Sequence, residues 1–488
     1  MKRRPKPATR PTLVRPALLF GAALAAPAPG LPAQDATEAL AITGVSVVDT
    51  EAGAVLENRT VVIEAGRIAS IARGAAPPSG ATVIDGRGRF LAPGLIDVHV
   101  HVRHAAAPEV LLPQFIANGV TGVRDMASGC DGEPEEGDVC LAELREWRER
   151  IEAGDLVGPR LLALSSPPLN PPWDYEVTEE RARAVVRRFA ERGADVIKTY
   201  FRLSPEAFGW IADEAGRQGL DVGGHIPLRM TAAEASDAGL RSLEHARDFL
   251  FDCFPGSAEF RGAATSQNPP VETMRSMVDD HDEEMCAREF ETLVRNDTWY
   301  VPTHVTRRMD AYADDPDFRA DPRRVYIPAF AWEEWQEDAD RMIALDPSPE
   351  GRRIMRGFYE RGLEITGRAH RAGVGIVLGT DAGDTYVFPG SGAHDELGEL
   401  VRGGLSPAEA LAAATIRAAE FLRVEPELGT VEPGKRADLL LLGANPLDDI
   451  ANTRAIEMVI FDGRPHDRAA LDAMLADVEE AVAALADR

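Results

Sequence analysis

Lysine is scarce in this chain of 488 residues: only four of its 53 basic side chains are lysines, and one of them, Lys198, ends an apolar run. Residues 194–200 read as a buried strand with a polar exit, where a cation needs a specific reason. Arginine stays protonated, whereas a desolvated lysine can lose its proton, take up carbon dioxide and become an anionic carbamate. A carbamate can bridge two metal ions, so Lys198 is a candidate metal ligand.

Positive charge is also in deficit, because 80 acidic residues leave a formal net charge of −27. This balance argues against nucleic acid and anionic membranes as partners. We expect a small-molecule substrate, and the sequence leaves open whether the chain forms a homo-oligomer.

The apolar run near the N-terminus, residues 17–26, is too short to span a bilayer. It follows several basic residues and precedes small residues up to Ala33, an order that is typical of a secretory signal peptide. We therefore expect residues 1–33 to be removed and the mature protein to be periplasmic or secreted, with no membrane attachment. A disordered basic tail is the alternative.

Cysteine is rare, and the four cysteines show no CxxC spacing, which argues against a zinc site built from them. Export would permit disulfides, and four thiols allow three pairings. The short loop between Cys130 and Cys140 favours a local bridge, which leaves Cys253 to pair with Cys286.

Hydrophobic patterning divides the chain into regions. Residues 34–92 alternate between apolar and polar positions, which predicts a small antiparallel sheet. Residues 426–466 return to turn-and-strand patterning, and we expect their strands to complete the same sheet. Residues 93–425 alternate short apolar runs with helical segments, which predicts a parallel sheet with crossover helices. A helix is expected at 467–488. Residues 246–360 hold long insertions that form either a mobile lid or a helical decoration.

Eight candidate strands can be counted in the central region, and eight favours an α/β fold of the closed (β/α)₈ type, whose chemistry lies at the carboxyl ends of the strands. An open doubly wound sheet is the alternative, but it would set the strand ends too far apart to share a metal. The candidate strands are 95–98, 120–124, 160–164, 195–200, 221–225, 241–244, 299–303 and 375–379.

Side chains of types that bind metals lie at the carboxyl ends of five of these strands. His99 and His101 alternate along one strand and therefore point to the same side, where one metal ion can take both. Lys198, His225, His245 and Asp381 each lie at or near the end of another strand. Single histidines often lie in protein cores without a ligand role, but five such strand ends favour a shared metal centre.

With these motifs the chain resembles the amidohydrolase superfamily, and within it the imidazolonepropionase-like and prolidase-like metal hydrolases. The resemblance extends over residues 40–466 and rests on residues 92–101, 196–198, 224–227, 242–245, 379–383, 394–397 and 429–438. It implies a barrel flanked by a β-sandwich that both chain ends build.

The resemblance also implies a site with two divalent cations. His99, His101 and Asp381 would hold the more buried ion, His225 and His245 the outer one, and carboxylated Lys198 would bridge them. Zinc is the ion that these ligands favour, with manganese or cobalt as alternatives. A hydroxide bridging the metals would attack the substrate, with Asp381 as general base and then general acid.

Four further residues are candidates for contact with the substrate. Tyr200 lies two residues beyond Lys198, on the same face of the strand, and would donate a hydrogen bond to the developing oxyanion. The alternative is an aromatic side chain that only fills the top of the barrel. Arg229 is a candidate for a substrate carboxylate, and His304 and His394 are weaker candidates that could instead cap loops.

The expected activity is hydrolysis of an amide bond in a dipeptide or an N-acyl amino acid. A lactonase or an organophosphate hydrolase could use the same centre. A deaminase or cyclic-amide hydrolase with one metal ion, and a barrel that binds ligands without catalysis, are the remaining alternatives.

Overall fold

The computed structural model describes residues 39–126, Cys130 and residues 139–486. The predicted signal peptide, residues 1–33, lies outside the described residues. Among the described residues, no helix has the length and apolar character needed to cross a membrane.

The described part of the chain contains fifteen strands and eighteen α-helices. The strands are β1 (Leu40–Asp49), β2 (Ala54–Glu64), β3 (Arg67–Arg73), β4 (Thr82–Asp85), β5 (Phe90–Pro93), β6 (Leu95–Val100), β7 (Val120–Asp125), β8 (Arg160–Leu164), β9 (Val196–Thr199), β10 (Asp221–Gly224), β11 (Ser242–Glu244), β12 (Trp299–Val301), β13 (Leu439–Leu442), β14 (Ile456–Phe461) and β15 (Arg464–Asp467).

The helices are α1 (Ala107–Val110), α2 (Leu112–Ala117), α3 (Leu141–Ala153), α4 (Glu179–Arg192), α5 (Pro205–Gln218), α6 (Ala232–Asp237), α7 (Arg247–Asp252), α8 (Ser257–Ala263), α9 (Val271–Asp279), α10 (Glu283–Arg295), α11 (His304–Tyr312), α12 (Pro316–Arg319), α13 (Ala329–Ala344), α14 (Pro349–Ala372), α15 (Ser391–Arg402), α16 (Pro407–Ala413), α17 (Ile416–Leu422) and α18 (Arg468–Ala486). Short 3₁₀ helices span Pro322–Tyr326 and Ile450–Arg454.

Strands from both chain ends share one sheet, in the order β15-β14-β13-β5-β1-β2-β3, with β4 also paired to β1. The sheet is mixed, whereas the sequence predicted an antiparallel one. The hairpin partner β2 occupies one edge of β1, and β4 and β5 join the other edge, where both run parallel to β1. An apolar core of its own, which includes Ile42, Val61 and Leu439, stabilises this sheet.

The central strands form two parallel groups, β6-β7-β8 and β9-β10-β11-β12. Single bridges extend this pairing, from Ser165 to Val196 between β8 and β9, and from Tyr300 to Ile376 beyond β12. Helices separate successive strands, as the alternating pattern predicts, and α4 begins at a Thr178 side chain that accepts the Arg181 N–H. The central region is therefore an α/β fold with parallel strands.

The predicted eighth strand is reduced to the single bridge at Ile376. The Leu378 N–H donates to the carbonyl of Ala413, and the Ile96 N–H donates to that of Ala414, so the end of α16 takes donors that a continuous ladder would need. Further along, Val98 donates to Leu378 and Asp381 donates to His99, which ties this segment to β6. The segment is thus held beside β6 without being a regular strand.

Both long insertions are helical. The first, between β11 and β12, contains α7 to α10, and a disulfide between Cys253 and Cys286 joins the end of α7 to α10. The second follows β12 and contains α11 to α14. A further disulfide joins Cys130 to Cys140 before α3, so both bridges have the pairing that the sequence favours.

We expect removal of the Cys253–Cys286 bridge to lower the free energy of unfolding by about 3 to 4 kcal/mol, because the bridge closes a loop with a sequence separation of 33. Urea unfolding of a Cys253→Ala/Cys286→Ala variant measures this loss. Reductant should bring the wild-type protein towards the variant's stability. Four free thiols in denatured, unreduced wild-type protein would contradict the pairing.

Candidate metal centre

The carboxyl ends of the central strands bring the six predicted ligands together. His99 lies in β6 and Lys198 in β9, while His225 and His245 directly follow β10 and β11. Parallel strands present their carboxyl ends on the same side, so side chains far apart in sequence meet there. All six are buried except His101, which is slightly exposed.

His99, His101 and Asp381 form the tightest part of the cluster. Asp381 Oδ1 lies 3.1 Å from His99 Nε2 and 2.9 Å from His101 Nε2, and one donor atom from each residue falls within 4.8 Å of the others. Lys198 Nζ lies 3.4 Å from His99 Nε2 and 3.3 Å from His101 Nε2. Three ligand residues and the lysine thus face one small volume.

His225 and His245 form the second part of the cluster. Their ring centroids are 4.3 Å apart, and the His245 ring is 5.1 Å from that of His99. Asp381 Oδ2 lies 3.7 Å from His245 Nδ1, so the two oxygens of this carboxylate face different histidines. Asp381 therefore lies between the two parts.

Neighbouring side chains hold the Nδ1 atoms of three of these imidazoles. Glu244 Oε2 lies 2.8 Å from His99 Nδ1, Thr303 Oγ1 lies 2.8 Å from His245 Nδ1, and the Gln267 amide contacts His225 Nδ1. This arrangement orients each ring and leaves its Nε2 for another partner, as is usual for metal-binding histidines.

The residues present fit divalent cations. The Nε2 of His245 is buried and has no hydrogen-bond partner among the described residues, although buried polar atoms are normally paired. Nitrogen and carboxylate donors are the ligand types that zinc and similar ions accept. One cation would bind the His99, His101 and Asp381 donors, and a second cation would give the His245 Nε2 a partner.

Burial and neighbouring charges together set the pKa values of the cluster. Burial lowers the pKa of His101 to about 3 and that of His225 and His245 well below the usual value, which keeps these rings in the neutral form that binds metal. Burial also lowers the pKa of Lys198, to about 8. For Asp381, burial acts to raise the pKa, but His101 and His99 outweigh it and hold that pKa well below its usual range.

Unusual backbone conformations accompany the ligands. His245, Thr303 and Asp381 have φ angles of 72°, 47° and 68°, in the left-handed region that costs free energy for residues other than glycine. Gly224, just before His225, has φ of 120°, and an added Cβ would meet the Thr199 carbonyl oxygen at 2.6 Å. The turns that aim the ligands inward are therefore strained or restricted to glycine.

Tyr200 lies beside the cluster: its ring centroid is 4.0 Å from that of His225. Arg229 is exposed and lies over the Trp173 ring, with its guanidinium carbon 5.9 Å from the ring centroid. The structure thus brings Tyr200 to the centre and gives Arg229 an aromatic partner at the surface.

The structure does not bring His304 or His394 to the cluster. His304 Nε2 lies 2.9 Å from Thr366 Oγ1 on α14, because Thr303 is the residue that faces inward at this strand end. Both ring nitrogens of His394 are occupied, by Thr453 Oγ1 and by the carbonyl of Asn118, which precedes β7 and so lies at the opposite end of the strands. A role of His304 and His394 in substrate binding stays a prediction, and the buried Nδ1 of His304 has no hydrogen-bond partner among the described residues.

Charged residues within the apolar strands support the ligands. The carboxylate of Asp97 accepts the backbone N–H groups of His99 and Thr380 and the Thr380 hydroxyl, and thereby fixes the turn before Asp381. Glu244 directly precedes His245 and also accepts from Arg124. Charged residues within apolar strands indicate a specific role. The sequence alone does not show which residues each of them contacts.

A cavity of about 310 Å³ opens beside His101, between the start of α1 and α13. Arg103, His104, Phe330 and Glu334 line part of its wall. This volume is within the range of small-molecule sites. A larger cavity of about 830 Å³ includes His394 but none of the six ligands, so size alone does not locate the chemistry.

Comparisons with known proteins find one family and several similar structures. Residues 341–465 match the model of the amidohydrolase family. The structure of a Bifidobacterium longum protein provisionally named a prolidase is similar, with 26% identity, a TM-score of 0.62, and coverage of 91% of this chain and 99% of that chain.

Two curated relatives match over shorter stretches. A dihydroorotase of Geobacter sulfurreducens (strain ATCC 51573 / DSM 12127 / PCA) is 37% identical over 90 residues, which are 18% of this chain and 20% of the relative. An adenine deaminase of Chelativorans sp. (strain BNC1) is 28% identical over 219 residues, 43% of this chain and 35% of the relative. The chain thus spans only about a fifth to a third of these two proteins.

We expect Gly224→Ala to destabilise the protein by about 2 kcal/mol or more, because the new Cβ would meet the Thr199 carbonyl and the positive φ disfavours alanine. Thermal unfolding measures the loss. Gly216→Ala is the matched control: Gly216 lies within α5 with open space around it, so that change should be neutral or stabilising. Equal stability of the two variants would contradict the proposed restriction.

Proposed function

This chain belongs to the amidohydrolase superfamily and resembles its prolidase-like members, and we propose that it is a metal-dependent hydrolase of C–N bonds that cleaves dipeptides or N-acyl amino acids. The observation that carries the proposal is the convergence of His99, His101 and Asp381 on one volume, with Lys198 beside them. The similarity to a protein named as a prolidase supports the choice of substrate class.

The barrel and the sandwich are part of this proposal. The single bridges at Ser165 and Ile376, and a third from Val100 to Ala382, support a (β/α)₈ barrel in which the 375–382 segment stands between β12 and β6. The sheet that both chain ends share would be the accompanying β-sandwich.

Two divalent cations would occupy the centre. His99, His101 and Asp381 would hold one ion, and His225 and His245 the other. Lys198, once carboxylated, would bridge them: its neutral amine forms a bond to the carbon of carbon dioxide and releases a proton, which leaves an anionic carbamate. The buried position of Lys198 between the histidines supports this role.

When bound, the cations lower the pKa of a water molecule and polarise the substrate carbonyl. Asp381 accepts the proton of the attacking water and delivers it to the amine that leaves as the C–N bond breaks. Tyr200 donates a hydrogen bond to the carbonyl oxygen as it gains negative charge. Zinc is the expected metal, with manganese or cobalt as alternatives.

Hydrolysis of a cyclic amide is the second candidate, because the matched curated relatives include a dihydroorotase. A lactone or an organophosphate could also be attacked at this centre. A panel of these substrates beside dipeptides and N-acyl amino acids separates the classes by their relative kcat/KM values.

We also infer that the protein works outside the cytoplasm, in the periplasm or as a secreted protein. The two disulfides support this location, because such bonds persist in oxidising compartments. The signal peptide expected at 1–33 would provide the export.

Lys198→Ala should lower the metal content and the hydrolytic activity at least about 10-fold, since even residues that only support metal ligands have effects of this size. Metal analysis and the substrate panel, with bicarbonate present during reconstitution, measure both quantities. Lys435→Ala is the control, because Lys435 pairs with Glu432 in a turn of the terminal region. A wild-type protein without metal or turnover would instead favour a binding protein.

Tyr200→Phe should lower kcat about 100-fold with little change in thermal stability, as expected when one donor to an oxyanion is lost. Tyr175→Phe provides a control, because Tyr175 is exposed. Unchanged turnover of the Tyr200 variant would leave this ring with a packing role only.

A further inference from the structure

Arg247 is a buried cation without a partner. It is only 7% exposed, and its Nε has no hydrogen-bond partner. Within the described part of the chain, Arg247 donates no hydrogen bond and pairs with no carboxylate. Burying a charge in this way is unfavourable unless an anion joins it.

The other buried arginines are paired, which makes Arg247 an exception among the described residues. Each of them contacts at least one carboxylate: Arg124 contacts Glu244, Arg160 contacts Asp438, Arg261 contacts Asp252, Arg307 contacts Asp310 and Arg352 contacts Asp314. Every buried guanidinium among the described residues, except that of Arg247, therefore contacts a carboxylate.

Arg247 is placed next to the outer part of the metal centre. It is the first residue of α7 and follows His245 by two positions. It lines a cavity of only about 10 Å³ together with Gln267, whose amide contacts His225. Burial has the largest effect on the pKa of His225 and of His245 and lowers both. The positive charge of Arg247 lowers these two pKa values further.

The charges around Arg247 leave it uncompensated. Arg307 lines the same cavity and adds a second positive charge, while Asp310 is already paired with Arg307. Asp248, the next residue, lies 3.6 Å from the guanidinium of Arg261. The surroundings of Arg247 thus favour an anion from outside the protein.

We propose that Arg247 binds the free carboxylate of the substrate while the scissile amide lies at the metal centre. This inference rests on the proposed function and narrows its substrate class to compounds that carry a carboxylate close to the amide bond, as dipeptides and N-acyl amino acids do. A guanidinium suits this role because its paired N–H groups match the two oxygens of a carboxylate. Arg247 takes the place that the sequence suggested for Arg229.

The test compares N-acetyl amino acids with their C-terminal amides, which differ only in the charge that Arg247 would recognise. The metal-loaded wild-type enzyme should prefer the carboxylates by at least about 100-fold in kcat/KM, because a buried charge left unpaired penalises the wrong substrate. Arg247→Gln should remove this preference, mainly through a higher KM for the carboxylates, and should retain thermal stability. Arg247→Lys should restore part of the preference.

Arg229→Gln is the matched control and should behave as wild type, because Arg229 is exposed. Equal hydrolysis of carboxylates and amides by the wild-type enzyme would overturn the role of Arg247. So would an Arg247→Gln variant that loses both substrates alike, because that is the result of a structural role.

Binding measurements distinguish a failure of this inference from a failure of the proposed function. If the metal-loaded wild-type protein hydrolyses neither series, the proposed function fails, and thermal-shift measurements with the same compounds still test Arg247. A shift that requires the carboxylate and disappears in Arg247→Gln supports the inference. A shift that is equal in both proteins, or absent from the wild type with both series, overturns it.

Discussion

The anchoring of Nδ1 on the buried imidazoles is the interaction on which the rest of the centre depends. Glu244, Thr303 and Gln267 each contact the Nδ1 of one ring, which leaves the Nε2 of His99, His245 and His225 for another partner. Burial keeps the outer rings neutral, which is the protonation state that binds a cation. Without these contacts the rings could rotate, and the donors would no longer converge.

The convergence of the ligands requires unfavourable backbone conformations. His245 and Asp381, which are proposed ligands, and Thr303, which supports one of them, all have positive φ angles. Such conformations persist only where the surrounding structure compensates for them. Here the carboxylate of Asp97 holds the turn before Asp381 through Thr380, while a paired network of Glu244 and Arg124 supports His99.

Arg247 would recognise the substrate in the way that the unpaired histidine nitrogens would bind the metal. The centre uses buried polar atoms that lack a protein partner, such as the Nε2 of His245, to leave a place for a cation. An unpaired guanidinium beside it leaves a place for an anion. Opposite charges held at adjacent positions would orient a small zwitterionic or anionic molecule across the reacting atoms.

Periodicity and residue type predicted much of the architecture. The alternation of apolar runs and helices indicated the parallel strands, and the runs ending in His99, Lys198, His225 and His245 correspond to β6, β9, β10 and β11. The mixed pairing of β1 was missed because alternation reports which face of a strand is buried but not the direction of its neighbours. The shortened eighth strand was missed because its lost hydrogen bonds go to α16, a distant helix.

By itself, the sequence determined which kinds of atoms stand at the strand ends, because the ligand types and the strand periodicity are local properties of the chain. Only the tertiary structure decided which polar residues serve the centre. Arg229 and Arg247 look alike in a chain with 49 arginines, yet one lies exposed over Trp173 and the other is buried without an acid. The physical reason is that burial and charge pairing depend on contacts between residues far apart in sequence.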